Sequence, residues 1–267
     1  MSIEIKKIQT SDFETEYFTT GSGKTNLVIL PGISVKSVML SADAIAAQYE
    51  DMCDDFTLYF FDRRKDMPES CTVYEMARDT AKAINALGLK DICLFGASQG
   101  GMIAAVIAAE NPELVAKLAL GSCAFAVNSQ VNETAGRWIE LAENGEYEKL
   151  FLDFGEKLYP REICEIYRDY FVSQSETVTA EEAKRFITLA KGLDGYDMSE
   201  RTGEIKCPSL LLLADDDKVF GKGHIAETRE LIKGRSNFEI FVYSGYGHAA
   251  FDTAPDYRVK LKEFFLG

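Results

Sequence analysis

Histidine is scarce in this chain: 267 residues include only two, His224 and His248. Any chemistry that needs an imidazole must use one of them. Six cysteines are scattered with no Cys-x-x-Cys pair, so neither metal-ligand spacing nor a disulfide framework is expected. An excess of positive charge is missing too. The 29 Lys and Arg against 43 Asp and Glu give a formal charge of −14, which argues against nucleic acid or an anionic membrane as partner. No run approaches the roughly 20 apolar residues that span a bilayer. The first residues, MSIEIKKIQTSDFETEYF, lack the apolar stretch of a signal peptide. These absences predict a cytoplasmic protein that acts on a small molecule. With 46% apolar and 27% charged residues, the chain can bury the core of a single α/β domain.

Strand patterns recur along the chain. IEIKKI (3–8) and FETEYFT (13–19) alternate polar and apolar residues as half-buried strands do. LVILPG (27–32), FTLYFFDRR (56–64), DICLFG (91–96), VAKLALGS (115–122), SLLLLADDD (209–217) and NFEIFVYSG (237–245) follow as more apolar runs. Helical patterns fill the gaps. TVYEMARDTAKAINALGL (72–89) opens on Thr72 with Glu75 three residues later, a capping-box signature, and stops at Gly88. Residues 99–110 are dense in Ala and Ile and end at Asn111-Pro112. Segment 222–233 and the C-terminal stretch are also helical. Buried strands alternating with helices predict a mostly parallel sheet covered on both faces, with the first two strands forming an antiparallel edge.

Between about 128 and 200 the strand signals vanish. This block is helical and rich in aromatics: Trp138, Tyr147, Phe151, Phe154, Tyr159, Tyr167, Tyr170 and Phe171. Its place between two parallel strands predicts a cap over the carboxyl edge of the sheet, where open α/β sheets bind ligands. Most of its aromatics are expected to form the cap's own core, and its acidic residues Glu133, Glu140, Glu143, Glu146 and Glu148 a solvated face.

GSGKT (21–25) imitates the end of a P-loop. The glycine that pattern needs five positions before Gly23 is Phe18, and the stretch leads into a strand rather than a helix. A turn is expected there.

The stretch LFGASQGG places Ser98 between Gly96 and Gly100, where a strand meets a helix. G-x-S-x-G chemistry needs that context: small neighbours let the backbone bend sharply, and the helix N-terminus favours negative charge at the same spot. A serine hydroxyl is a weak nucleophile, so it also needs a base and an orienting acid. His248, in YSGYGHAAF after the last strand, is the expected base; His224 opens a polar helix and is not. For the acid, Asp215, Asp216 and Asp217 stand in a row at a strand end.

Taken together, these pieces resemble the α/β-hydrolase superfamily, in its capped branch of esterases, C–C bond hydrolases and proline iminopeptidase-like enzymes. The resemblance rests on LPG after the third strand, TVYEMARDTAKAINALGLKDICLFGASQGGMIAA, NPELVAKLALGS, YDMSERTGEIKCPSLLLLADDDKVF and GYGHAAFDTAPD. It implies a core of 1–127 and 201–267 and a cap of 128–200 inserted after the sixth strand. It also implies the order Ser…Asp…His, with Asp217 as the acid and Asp216 as the fallback. The oxyanion hole would be the backbone N–H groups of Gln99 and Ile33, and no metal or organic cofactor is implied. Two departures stand out. Pro31-Gly32-Ile33 lacks the histidine that usually precedes the glycine, and FFDRRKDMPES replaces an Asp-x-Arg-Gly pattern. Arg63 and Arg64 either line the site or are solvated, the second being the plainer expectation. The implied reaction is hydrolysis of a small, partly apolar carboxylic ester through an acyl-enzyme. C–C bond hydrolysis and aminopeptidase action use the same triad, and a binding protein that retains only the fold is the reading of a different class.

Overall fold

The computed structural model describes residues 2–267. Its strands are β1 (Lys6–Gln9), β2 (Glu14–Thr20), β3 (Thr25–Leu30), β4 (Phe56–Phe61), β5 (Ile92–Ala97), β6 (Val115–Gly121), β7 (Ser209–Ala214) and β8 (Phe238–Tyr243). Its helices are α1 (Ala42–Gln48), α2 (Val73–Ala86), α3 (Gln99–Glu110), α4 (Ser129–Glu143), α5 (Tyr147–Leu158), α6 (Arg161–Ser175), α7 (Ala180–Lys191), α8 (His224–Leu231), α9 (Ala250–Thr253) and α10 (Tyr257–Leu266).

The eight strands form one sheet in the order β1-β2-β4-β3-β5-β6-β7-β8. The β1–β2 and β2–β4 pairings are antiparallel, as the half-buried alternation predicts, and every other pairing is parallel. Alternate residues of each strand serve opposite faces. In β3, Val28 and Leu30 pack into the core that contains α2 and α3, while Leu27 and Ile29 join Met39, Ala42, Leu261 and Phe265 on the other side. β5 and β7 are buried along their whole length, which is why they read as continuous apolar runs rather than alternating ones.

α3 is buried at every position but its last, because it lies between the sheet and its helical neighbours; it therefore has no polar face. α2 begins with the expected capping box. The Thr72 hydroxyl accepts from Glu75 N–H at 3.2 Å and the Glu75 carboxylate accepts from Thr72 N–H at 2.7 Å. Gly88, just past the end of that helix, takes a φ of 71°, a conformation that favours glycine. Residues 38–52 form α1 and two short 3₁₀ turns, too brief and too alanine-rich to show a period in the sequence.

Helices α4 to α7 fill the connection from β6 to β7. α4 packs on α5 and α7, and α5 on α6. A single antiparallel bridge between Ala126 and Asp197 closes the base of this insertion. GSGK (21–24) is an irregular connection between β2 and β3, with Gly21 at φ 79° and Gly23 against the backbone of Asp55, and Thr25 already begins β3. No helix among the described residues is long and apolar enough to cross a membrane.

The parallel strands all end at one edge of the sheet. Gly32 and Ile33 follow β3, Ser98 follows β5, Asp217 follows β7 and His248 follows β8, so residues far apart in sequence meet at that edge.

Candidate active site

Ser98 is held in a backbone conformation that few non-glycine residues adopt, with φ 53° and ψ −124°. Such strain persists only where surrounding contacts impose it. Here the Ser98 N–H donates to Gly121 O at 2.8 Å, and Ser98 O accepts from Gly101 N–H at 2.8 Å and Met102 N–H at 3.1 Å. The flanking glycines are small for a steric reason. A Cβ on Gly96 would lie 2.2 Å from Gly100 O, and one on Gly100 would lie 2.2 Å from Leu30 O and 2.4 Å from Pro31 O. Both obstacles are backbone and neither can swing aside. Gly100→Ala is therefore expected to destabilise the protein by about 3 kcal/mol, the upper range of overpacking costs, read as a lower urea midpoint.

Of the three consecutive aspartates, Asp217 alone is buried; Asp215 and Asp216 are exposed. Asp217 Oδ2 lies 2.7 Å from His248 Nδ1, and Oδ1 accepts from the Val219 and Phe220 N–H groups at 2.8 and 3.0 Å. Burial opposes ionisation of this carboxyl. The charge and hydrogen bond of His248, with the Phe220 N–H, outweigh burial and hold it below the ordinary carboxylate value. Asp215 serves the backbone instead. It accepts from Ser244 Oγ at 2.6 Å and Gly245 N–H at 2.7 Å, fixing the turn that leads to His248. Gly245 sits at φ 78° in that turn.

His248 is buried and flanked by the rings of Phe220 and Phe251. Its loop is fastened to the insertion, for Ala249 N–H donates to Leu158 O at 2.9 Å. A Cβ on Gly247 would also stand 2.9 Å from that oxygen. His224 is buried elsewhere, stacked on the Phe220 ring and 3.2 Å from Gly221 O; it does not line the cavity that Ser98 and His248 share.

That cavity measures about 420 Å³. Ser98, Gln99, Ile33 and His248 form its floor, and Gly32 lets the chain pass close to Ser98, since a Cβ there would lie 3.2 Å from Ser98 Cβ. Gln99 opens α3, where helix geometry leaves the first N–H groups without intrahelical partners. Its side chain is buried: Nε2 donates to Leu189 O of α7 at 2.7 Å, while Oε1 has no partner.

The insertion supplies the rest of the wall. Trp138, Phe151, Phe154, Tyr159, Tyr170 and Phe171 all line the cavity, a larger share of the aromatics than expected. They also pack on one another, with Trp138 and Phe154 at 4.4 Å between centroids and Tyr159 and Phe171 at 6.2 Å. A single layer of helices has no separate interior, so one set of rings serves both purposes. None of the five acidic residues Glu133, Glu140, Glu143, Glu146 and Glu148 faces the cavity.

Arg63 is neither solvated nor in the cavity. It is buried, its Nη2 donates to Pro31 O at 2.7 Å, and burial lowers its pKa to about 10. The guanidinium thus supports the loop that carries Gly32 and Ile33 from behind. Arg64 lies over the Phe13 ring and pairs with Asp79 at 3.3 Å, away from Ser98. Asp62 is a supporting residue that sequence reasoning does not find. It accepts from Ser37 Oγ at 2.6 Å on the same loop and pairs with Arg185 of α7 at 2.5 Å. Its one signal in the sequence is a charge directly after a buried strand. Among the described residues, no group of three or more His, Cys, Asp or Glu side chains is placed to hold a metal ion.

The family described as alpha/beta hydrolase fold matches residues 51–255. A protein of Agrobacterium fabrum strain C58, provisionally named a carbamate hydrolase (RutD), is 24% identical over 230 residues, covering 82% of this chain and 86% of that protein. MGS-M2, an alpha/beta hydrolase enzyme from a Medee basin deep-sea metagenome library, superposes with a TM-score of 0.85 at 19% identity, covering 98% of each chain. A thermophilic esterase from Thermogutta terrifontis gives 0.79 at 20% identity, again over 98% of each.

Proposed function

The chain belongs to the α/β-hydrolase family and is an enzyme of that hydrolytic type, and on that premise we propose that it is a serine hydrolase of small, partly apolar carboxylic esters. One observation carries this reading: a buried Asp217–His248 pair 2.7 Å apart opens onto the same cavity as a conformationally strained Ser98. Ser98 Oγ attacks the ester carbonyl while His248 Nε2 takes its proton. The Gln99 and Ile33 N–H groups hold the resulting oxyanion, commonly the largest single contribution to catalysis. The C–O bond then breaks, and His248 returns the proton to the departing alkoxide. Water, activated by the same imidazole, releases the acid from Ser98. Helices α4 to α7 act as a cap that shields the acyl-enzyme and sets the apolar character of the substrate.

A fluorophosphonate probe tests this directly. It is expected to stop turnover and leave one phosphonyl group on the peptide that contains Ser98. Labelling of a different residue overturns the assignment, and neither labelling nor ester turnover favours a protein that binds without reacting. A carbamate is the second reading. The likeness to the RutD protein raises it. Paired aryl esters and aryl carbamates of equal size separate the two by kcat/KM.

A further inference from the structure

The cavity wall contains one positive side chain. Lys36 stands four residues beyond Gly32 on the loop from β3 to α1, and it is the only Lys or Arg among the lining residues. Its ammonium donates to Thr177 Oγ1 at 2.5 Å and Gln174 Oε1 at 3.4 Å. Both partners are neutral, and Lys36 takes part in no ion pair among the described residues. The other charged group of the wall, Asp252, already accepts from Tyr159 Oη at 2.8 Å and Gln48 Nε2 at 3.3 Å. In a chain with 43 acidic residues and 29 basic ones, counter-charges are plentiful, yet this partly exposed lysine at the edge of a largely apolar cavity has none. Bridging the loop to the end of α6 does not require a charge; an amide would donate to the same two oxygens. The charge itself therefore calls for an anion inside the cavity.

We propose that Lys36 recognises a carboxylate on the substrate, so that the enzyme acts on esters bearing a free carboxylate away from the scissile bond. The inference rests on the reading of this cavity as the substrate site. One end of the ligand sits at Ser98 between Gly32 and Gln99, and the anionic end lies further along the same loop. The carboxylate belongs to either the acyl or the alcohol portion, and two ester pairs distinguish them. The acyl pair is 4-nitrophenyl hydrogen glutarate and its methyl ester; the alcohol pair is 4-acetoxybenzoate and its methyl ester.

In one pair the anionic member is expected to have a kcat/KM about 10- to 100-fold higher than the neutral one, the range of a charge-assisted hydrogen bond. Lys36→Gln should erase that preference through KM, raising it for the anionic ester far more than for the neutral one. Lys36→Arg should keep it, and Lys36→Glu should reverse it. If wild-type enzyme prefers neither anionic ester, or if Lys36→Gln slows both members equally, Lys36 is a mechanical link and the proposal fails. Calorimetric titration of the Ser98→Ala variant with monomethyl glutarate, with and without Lys36→Gln, gives a readout independent of turnover. Binding that Lys36→Gln abolishes, where the wild type hydrolyses no ester, keeps the anion site and overturns the hydrolase reading. Ester hydrolysis with no such binding does the opposite.

Discussion

Ser98→Ala is expected to lower kcat on an aryl ester by about 10⁵- to 10⁶-fold, the scale seen when a hydrolase triad loses its nucleophile. The loss should be confined to chemistry. Ser98 Oγ makes no hydrogen bond among the described residues, and the contacts that hold residue 98 at φ 53° are backbone ones: Gly121 O, Gly101 N–H and Met102 N–H. Alanine keeps every one of them. The variant should therefore melt within a few degrees of the wild type and still bind substrate. Residual turnover of about 10³- to 10⁴-fold over water is expected from the oxyanion donors and binding alone. Stopped-flow and steady-state rates with calorimetric unfolding of the same sample would check both halves. A variant that retains most of its turnover places the attacking atom elsewhere.

Asp217→Asn comes next, with an expected loss of about 10⁴-fold in kcat. The Val219 and Phe220 N–H groups fix Oδ1 as an acceptor, so the new amide must turn its NH₂ towards His248. That forces Nδ1 to accept, puts the proton on Nε2, and leaves His248 unable to take one from Ser98. Asp216→Asn, whose side chain is exposed, should change kcat by less than about threefold, as surface changes do. Stability provides a second readout. Because the Asp217 carboxyl titrates below its ordinary value, its contribution is complete above the unfolded-state pKa and is lost as pH falls through the lowered native one. The wild type should thus lose an increment of stability on acidification that the Asn variant never had. Urea midpoints at neutral and acid pH would reveal it.

Much of the molecule is readable in the sequence because each element announces itself locally. The sheet follows from apolar runs, the edge from alternation in residues 3–19, and the elbow from small residues whose Cβ atoms the backbone forbids. Asp217 is different: three aspartates in a row carry no local mark of which one turns inward, so in the sequence only the resemblance to the family selects it, and the burial pattern after β7 is what sets it apart physically. Arg63 departs from expectation because its role is tertiary. A buried guanidinium on Pro31 O depends on β3 and β4 lying side by side, and nothing in FFDRRKDMPES records that neighbour. The same holds for Asp62 and Arg185, which are 123 residues apart. The aromatics of α4 to α6 read as core because helical spacing describes which face is apolar, not what stands opposite.

The bond from Ala249 N–H to Leu158 O bears on how such proteins can be re-engineered. Residues after β6 look like a removable cassette, open to exchange for a relative's specificity. Yet the residue after the candidate base is moored to the last turn of α5, and Gly247 has no side chain because that carbonyl is so near. Grafting a foreign cassette here would cut the mooring of the imidazole along with the old pocket. A successful chimera has to bring its own carbonyl to that position.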